Sequence, residues 1–238
     1  MGCKYKVSDS INDMEYEKLY ISTLYTRDIP DAWFLALVEL MKHGRKYKID
    51  RGSFEGQYRY QLDYLTLHIQ YPGVRPLTPY IPTSFGIPNP VSDEYVNDYL
   101  PYLMCDVKNE TEQYTYGQYL EEQIAKVINM YKKDGYNTNQ AYMTVGDPKT
   151  LDMVDPPCLR GIDTRIIDSV LHFFVYFRSW DLWSGLPANL AGIQILKEYM
   201  ASEIGVKDGA IVAATKGGHI YHYALEYTQK YTGKNFRD

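Results

Sequence analysis

Asp155-Pro156-Pro157-Cys158-Leu159-Arg160 opens the stretch on which the reading of this chain turns, and that stretch runs on to Tyr223. Two consecutive prolines stiffen the backbone and hold it extended ahead of the cysteine. Residues 170–178 read as a buried strand, and a period of two puts His172, Phe174, Tyr176 and Arg178 on one face. A helix is predicted after Pro187, with Leu190, Ile193, Leu196, Lys197 and Met200 spaced to pack inward. Residues 211–214 and 218–223 read as the last strands. Strands and helices that alternate in one chain predict a layered α/β fold.

Upstream, residues 1–28 are polar and read as a loosely held arm or a short helix. Asp31 is placed to cap a helix that carries Trp33, Phe34, Leu37, Val38, Leu40 and Met41, with Gly44 as its stop. Asp50-Arg51-Gly52-Ser53-Phe54-Glu55-Gly56 is a glycine-bearing loop led by an arginine, and short strands are expected near 57–62 and 65–70. Residues 72–90 are dense in proline, which predicts an extended, irregular segment. Ser92, Glu94 and Tyr95 start a short helix reaching Leu103. Thr115-Tyr116-Gly117 leads into a helix with Leu120, Ile124, Val127, Ile128 and Tyr131 at helical spacing, ended by Gly135. Residues 141–145 read as a strand. No repeat and no linker interrupts this pattern. The expectation is one domain over residues 1–238, of α/β (α+β) class, with a twisted mixed sheet, flanking helices and residues 1–28 as an N-terminal arm.

Composition bounds the chemistry. The 238 residues are 45% hydrophobic and 23% charged, the balance of a soluble globular protein. No apolar run approaches the roughly 20 residues of a membrane span, and the first residues lack the apolar core of a signal peptide. A cytoplasmic protein without membrane contact is expected. Cys3, Cys105 and Cys158 are few and far apart, which fits a reducing compartment, and no Cys/His spacing predicts a metal site. A net charge of −5 argues against stable nucleic-acid binding. An anionic substrate would need arginines concentrated at its site. The 25 tyrosines read as compositional bias and amphipathic core edges.

Several residues nonetheless offer chemistry. Cys158 is a thiol on a rigid lead-in, suited to nucleophilic addition; the alternative is an inert buried cysteine. Arg51 and the Arg178-Ser179 pair could bind phosphate through guanidinium forks and a hydroxyl, although Arg51 could equally be a surface turn residue. Asn189 can donate and accept at once, or cap a helix. His219 and Tyr221 share a strand face, as a ligand pair or as a half-buried histidine beside a core tyrosine. Tyr116 and Asp181 each have a loop or capping explanation.

Four blocks occur in order: Pro157-Cys158, Tyr176-Phe177-Arg178-Ser179-Trp180-Asp181, Gly185-Leu186-Pro187-Ala188-Asn189 and His219-Ile220-Tyr221. Together they resemble the thymidylate synthase family, most of all its short archaeal-type branch, over about residues 33–223. The resemblance implies Cys158 as the nucleophile at pyrimidine C6, with Tyr116 beside the C5 proton and Glu94 as the carboxylate that organises water. It implies Arg51, Arg178 and Ser179 on the phosphate of a pyrimidine nucleoside monophosphate, Asn189 on the uracil edge, and His219 and Tyr221 on the sugar. Asp181 and Gly185 fall on the side of the reduced folate or pterin. The implied activity is methylation of dUMP to dTMP with methylenetetrahydrofolate or a related methylene-carrying pterin, without metal, in a homodimer. A pyrimidine nucleotide (dUMP, dCMP or CMP) 5-hydroxymethylase is the alternative; the family's cytosine hydroxymethylases carry Asp where this chain has Asn189. A nucleotide-binding homologue without catalysis is the second alternative.

The chain also departs from the family. Asn137-Thr138-Asn139-Gln140 stands where a paired arginine is lent across the dimer, and Leu159 follows the nucleophile in place of histidine. No tryptophan lies between Pro72 and Tyr136 to build the folate wall. Residues 233–238 do not form the apolar tail that closes over folate.

Overall fold

The structure, a computed structural model, describes residues 19–108 and 112–237. In chain order its elements are β1 (Ile21–Thr26), α1 (Ile29–His43), β2 (Arg45–Lys48), β3 (Tyr58–Gln61), β4 (Tyr64–Ile69), α2 (Asp93–Met104), α3 (Gly117–Asp134) and β5 (Tyr142–Thr144). Then follow β6 (Leu159–Ile167), β7 (Val170–Phe177), β8 (Trp180–Asp181), α4 (Gly185–Ile204), β9 (Lys207–Thr215), β10 (Gly218–Tyr221) and α5 (Leu225–Thr232). Two mixed sheets result. One has the order β1-β4-β9-β7-β6-β5 and the other β2-β3-β10-β8. The layered α/β class expected from the alternating pattern is thus present.

Several expectations need correction. Residues 1–18 of the proposed arm lie outside the described residues, but residues 21–26 are β1, which pairs in parallel with β4. Strand pairing over more than 40 residues leaves no local mark in a polar segment. Asp28, not Asp31, caps α1: its carboxylate accepts from the Asp31 amide at 2.9 Å. Asp31 returns a bond to the Arg27 amide at 2.9 Å, while Pro30 occupies a first-turn position that needs no donor. Helix α4 begins at Gly185, ahead of Pro187. Strand β7 is buried on one face only. Leu171, Phe173, Val175 and Phe177 face the core, whereas Phe174 is 39% exposed.

Helix α4 is the central element. Its buried residues, from Leu186 to Ile204, fall all round its circumference, as expected for a helix enclosed by others. It packs against α1, α2, α3, β7 and β9. It also supplies the crossover that the parallel β7–β9 pair requires. Lys197 points inward as its spacing predicts and is fully buried, with Nζ 2.9 Å from Asp208 Oδ1. Gln194 Nε2 donates to Asp208 Oδ2 at 2.8 Å and to Glu198 Oε1 at 2.9 Å. Arg75 forks onto Glu198 at 2.8 and 2.7 Å. This chain of charges pins the proline-rich segment to α4.

On the outer face of the larger sheet, the strand registers set Tyr25, His68, Val212, Phe174, Asp163 and Tyr142 in one row. Tyr25, Phe174 and Tyr142 of that row are exposed. No helix among the described residues is long and apolar enough to cross a membrane.

Candidate active site

Cys158 sits half-buried at the start of β6, where the strand leaves Pro156-Pro157. The proline carbonyls remain free to accept, and Arg178 takes them. Its Nε donates to Pro156 O and Pro157 O, each at 3.2 Å, and its Nη2 also bonds to Pro156 O. The Arg178 amide donates to Cys158 O at 2.8 Å. The guanidinium therefore fixes the lead-in to the cysteine and stands beside the thiol. Burial pushes the Cys158 thiol up, Arg178 pulls it back down, and Asp155 and Asp181 push it up further.

Arg51, Arg59 and Arg178 line one cleft of ≈ 410 Å³, together with Asp50, Asp155 and Pro156. Arg51 Nη2 donates to Met153 O at 3.0 Å and Leu151 O at 3.4 Å. The loop that carries it is shaped by Gly52, at φ +106, where a Cβ would come within 2.9 Å of Asp155 Oδ1. Asp155 accepts from the Ser53 amide at 3.1 Å and from the Ser53 hydroxyl. Phe54 stacks on Tyr221 at 4.1 Å, which seats the loop on β10. Ser179 is half-buried beside Arg178.

A second recess, ≈ 440 Å³, is lined by Tyr95, Asp98, Tyr99, Tyr102, Glu112, Tyr116 and Asn189. This recess reaches the start of β6, because the Tyr116 hydroxyl accepts from the amide of Leu159, the residue after Cys158, at 3.3 Å. Gly117 permits this placement, since a Cβ there would run into the Cys105 backbone. Burial raises Tyr116 well above the ordinary phenol range, so it stays protonated. Tyr114, which feels the Cys158 charge, is pushed up to about 12, chiefly by burial.

Asn189 lies inside α4 and caps nothing. Its Oδ1 accepts from Trp180 Nε1 at 3.0 Å and its Nδ2 donates to the Tyr99 hydroxyl at 3.0 Å. Asp181 organises the start of α4. It accepts from the amides of Trp183 at 3.0 Å and of Ser184 and Gly185 at 3.3 Å each, and from the Ser184 hydroxyl at 2.6 Å. His219 is 2% exposed and pairs in register with Asp181. Its Nδ1 lies 2.8 Å from Gly217 O. A carbonyl only accepts, so Nδ1 carries the proton and Nε2 is an acceptor; Nε2 is buried and meets no partner among the described residues. Burial lowers the His219 pKa, which keeps the ring neutral. Tyr221 follows on the same strand, pushed up to about 12 by burial and by the Asp181 and Cys158 charges.

The structure thus brings Arg51 and Arg178 to one cleft and Tyr116 and Asn189 to the other recess, with Cys158 between the proline lead-in that Arg178 grips and the Leu159 amide that Tyr116 accepts from; Ser179, Asp181, Gly185, His219 and Tyr221 lie in or next to β8, α4 and β10. It does not bring Glu94 in. Glu94 is exposed in the first turn of α2, and Asp98, one turn on, lines the tyrosine recess instead. Asn137 and Asn139 lie with Arg165 and Asp168 at the other end of β6 from Cys158. Sequence reasoning missed Arg59, Tyr99, Asp98 and the indole of Trp180 as a partner of Asn189. Tyr95, Tyr99 and Tyr102 do recur at helical spacing, and that signal was legible as one face of α2. The tyrosines therefore wall this recess, within the stretch between Pro72 and Tyr136 that carries no tryptophan. Among the described residues, no group of three or more His, Cys, Asp or Glu side chains could hold a metal ion.

The thymidylate synthase family profile matches residues 103–237. A protein from Methanosarcina mazei that carries a provisional thymidylate synthase name is 29% identical over 203 residues, covering 83% of this chain and 88% of its own. A similarly named protein from Methanopyrus kandleri is 26% identical over 208 residues, 84% of this chain and 92% of its own. The thymidylate synthase of Listeria monocytogenes serotype 4b is 27% identical over 110 residues, 46% of this chain and 35% of its own. With the family profile spanning more than half of its residues, including Cys158, Arg178, Asn189 and His219, the chain belongs to the thymidylate synthase family.

Proposed function

We propose that the protein methylates dUMP at C5 to give dTMP, taking the one-carbon unit from methylenetetrahydrofolate or a related pterin. The observation that carries this reading is the seat of Cys158: Arg178, from the arginine-lined cleft, grips its proline lead-in, and Tyr116, from the recess that Asn189 also lines, accepts from the next amide. Flat phenol faces beside a bifunctional amide suit a pyrimidine with a pterin ring stacked near it. Such a carrier, when bound, supplies a methylene group and the hydride that reduces it.

The residues then have distinct tasks. Arg51, Arg178 and Ser179 hold the phosphate. His219, neutral and with Nε2 open, accepts from a sugar hydroxyl, and Tyr221 stands beside it. Cys158 adds to C6 as a thiolate, and the electron pair displaced from the C5–C6 double bond makes C5 nucleophilic. Asn189 Nδ2 donates to the developing charge on O4. Tyr116, held as a phenol, orients water that removes the C5 proton. With C5 bonded to the methylene carbon, loss of the C5 proton would release the nitrogen of the carrier and leave an exocyclic methylene; hydride added to that carbon would restore the C5–C6 double bond and expel Cys158 from C6 as the thiolate.

One observation favours the hydroxymethylase alternative. Phe236 packs on Tyr60 at 4.6 Å, and Arg237 bonds to Met41 O at 2.7 Å and Gly44 O at 2.8 Å. That segment is held against α1 and β3, and water kept out of the recess by other means is required for hydride transfer. Mass spectrometry of the product from dUMP and methylenetetrahydrofolate separates the two. A methyl product with dihydrofolate is expected; a 5-hydroxymethyl product with tetrahydrofolate would replace this reading with the alternative. The row from Tyr25 to Tyr142 is the face we assign to a homodimer, and sedentation of the protein at the monomer mass by analytical ultracentrifugation would refute that.

A further inference from the structure

The arginine cleft holds a residue that the motif blocks do not contain. Arg59 lies on β3, in register with Tyr221 of β10 on one side and Tyr47 of β2 on the other. Neighbouring residues Tyr58 and Tyr60 point to the opposite face by strand alternation, and Tyr60 is in the core. Arg59 is half-buried and lines the cleft with Arg51 and Arg178. Its Nε is buried and has no hydrogen-bond partner among the described residues.

Those facts do not suit a structural arginine. A buried guanidinium N–H without an acceptor bears its desolvation cost uncompensated, and such groups are rare in folded proteins. Like charges gathered in one recess add repulsion. Of the two carboxylates that line the cleft, Asp155 is already engaged by the Ser53 amide and hydroxyl, and Asp50 is exposed. On the paired strand β10, His219 Nε2 is likewise buried without a partner among the described residues. Open donors on one side and an open acceptor on the other describe a recess complementary to a ligand with an anionic head and a hydroxyl. A phosphate dianion on a sugar is such a ligand, and guanidinium forks match its oxygens.

We propose that Arg59 is a substrate-binding residue, the third guanidinium of the phosphate site beside Arg51 and Arg178. The proposal rests on reading the cleft as the nucleotide site, and the phosphate is supplied with all three groups from one chain. Arg59→Met should weaken dUMP binding about 10- to 100-fold. It should leave the affinity for deoxyuridine, which lacks the phosphate, unchanged within about twofold, and Arg59→Lys should recover part of the loss by its charge. Titration calorimetry with dUMP, deoxyuridine and inorganic phosphate, with a thermal melt of each variant, reads all of this. Undiminished dUMP binding by Arg59→Met overturns the assignment, as does an equal loss for dUMP and deoxyuridine. Should the native protein bind inorganic phosphate in an Arg59-dependent way but not discriminate dUMP from other nucleoside monophosphates, Arg59 stands and the pyrimidine reading falls. Binding of neither phosphate nor dUMP by the native protein overturns both.

Discussion

The indole Nε1 of Trp180 donates to Oδ1 of Asn189 at 3.0 Å, and this bond decides which way the amide faces. An indole N–H is a donor only, so the amide oxygen must meet it and the NH₂ group must turn to Tyr99. One lone pair and one N–H remain for a ligand, matching uracil N3–H and O4. Asn189→Asp keeps the bond to Trp180 but loses the donor. We expect kcat/KM for dUMP to fall by about 10²- to 10³-fold, with preference moving toward dCMP. Native enzyme that already prefers dCMP would refute this role.

Cys158 is the proposed nucleophile, while the groups assigned to phosphate, base and sugar lie on other elements. Cys158→Ser should therefore release tritium from [5-³H]dUMP at least about 10³-fold more slowly and bind dUMP within about threefold of native. A variant that keeps the native release rate would remove Cys158 from the chemistry.

The pH response of Cys158 tests its electrostatics. Burial raises the thiol pKa, and the Arg178 charge lowers it. Thiolate increases with pH, so a positive neighbour shifts reactivity to lower pH. Arg178→Met should move the alkylation profile of Cys158 to higher pH, and Arg178→Lys should move it less. Peptide-resolved alkylation by iodoacetamide, with Cys105 as an internal reference, reads the shift. No shift, or an acid one, would show that Arg178 acts only by gripping Pro156 and Pro157.

The parts of the site that were legible in sequence act over short ranges. Pro156-Pro157-Cys158 is rigid by its own chemistry, and Asp181 caps a turn only four residues away. Arg178 could be singled out because it ends an apolar strand. Arg59 could not, since it comes to line the cleft only when β3 pairs with β10, some 160 residues later. For the same reason β1 read as an arm, its partner β4 being invisible locally. Asn189 could be seen in sequence as a group that donates and accepts, but Trp180 and Tyr99, which orient it, meet it only once α2 packs on α4.

Lys197 bears on stability. Burial lowers its pKa, and Asp208 opposes that shift. Asp208→Ala leaves a buried ammonium unpaired and should cost about 3 kcal/mol, whereas Lys197→Met should cost less, because a methionine needs no partner. The sign with pH follows from the lowered value. Between the folded pKa and the ordinary 10.5, the unfolded chain binds more protons, so stability rises with pH. That rise should be steeper in Asp208→Ala. Urea unfolding from pH 7 to 9.5 would sink the account if Lys197→Met were the more damaging change.

Tyr116 gives the last test, because its hydroxyl has two separable jobs. It accepts from the Leu159 amide, which steadies the start of β6, and we assign it the water that takes the C5 proton. As burial holds it well above the ordinary phenol range, it cannot serve as a phenolate base at neutral pH. It acts by hydrogen bonding, an effect of about 10²-fold on proton transfer at the lower end of general-base contributions. Tyr116→Phe keeps the ring in the tyrosine wall and removes only the hydroxyl. Tritium release from [5-³H]dUMP should fall about 10²-fold. Addition of Cys158 to 5-fluoro-dUMP, followed as a mass adduct, should persist, since that step precedes loss of the C5 substituent. The bare Leu159 amide should cost about 1–2 kcal/mol of stability. A variant that loses stability by that amount yet releases tritium at the native rate would confine Tyr116 to holding the strand.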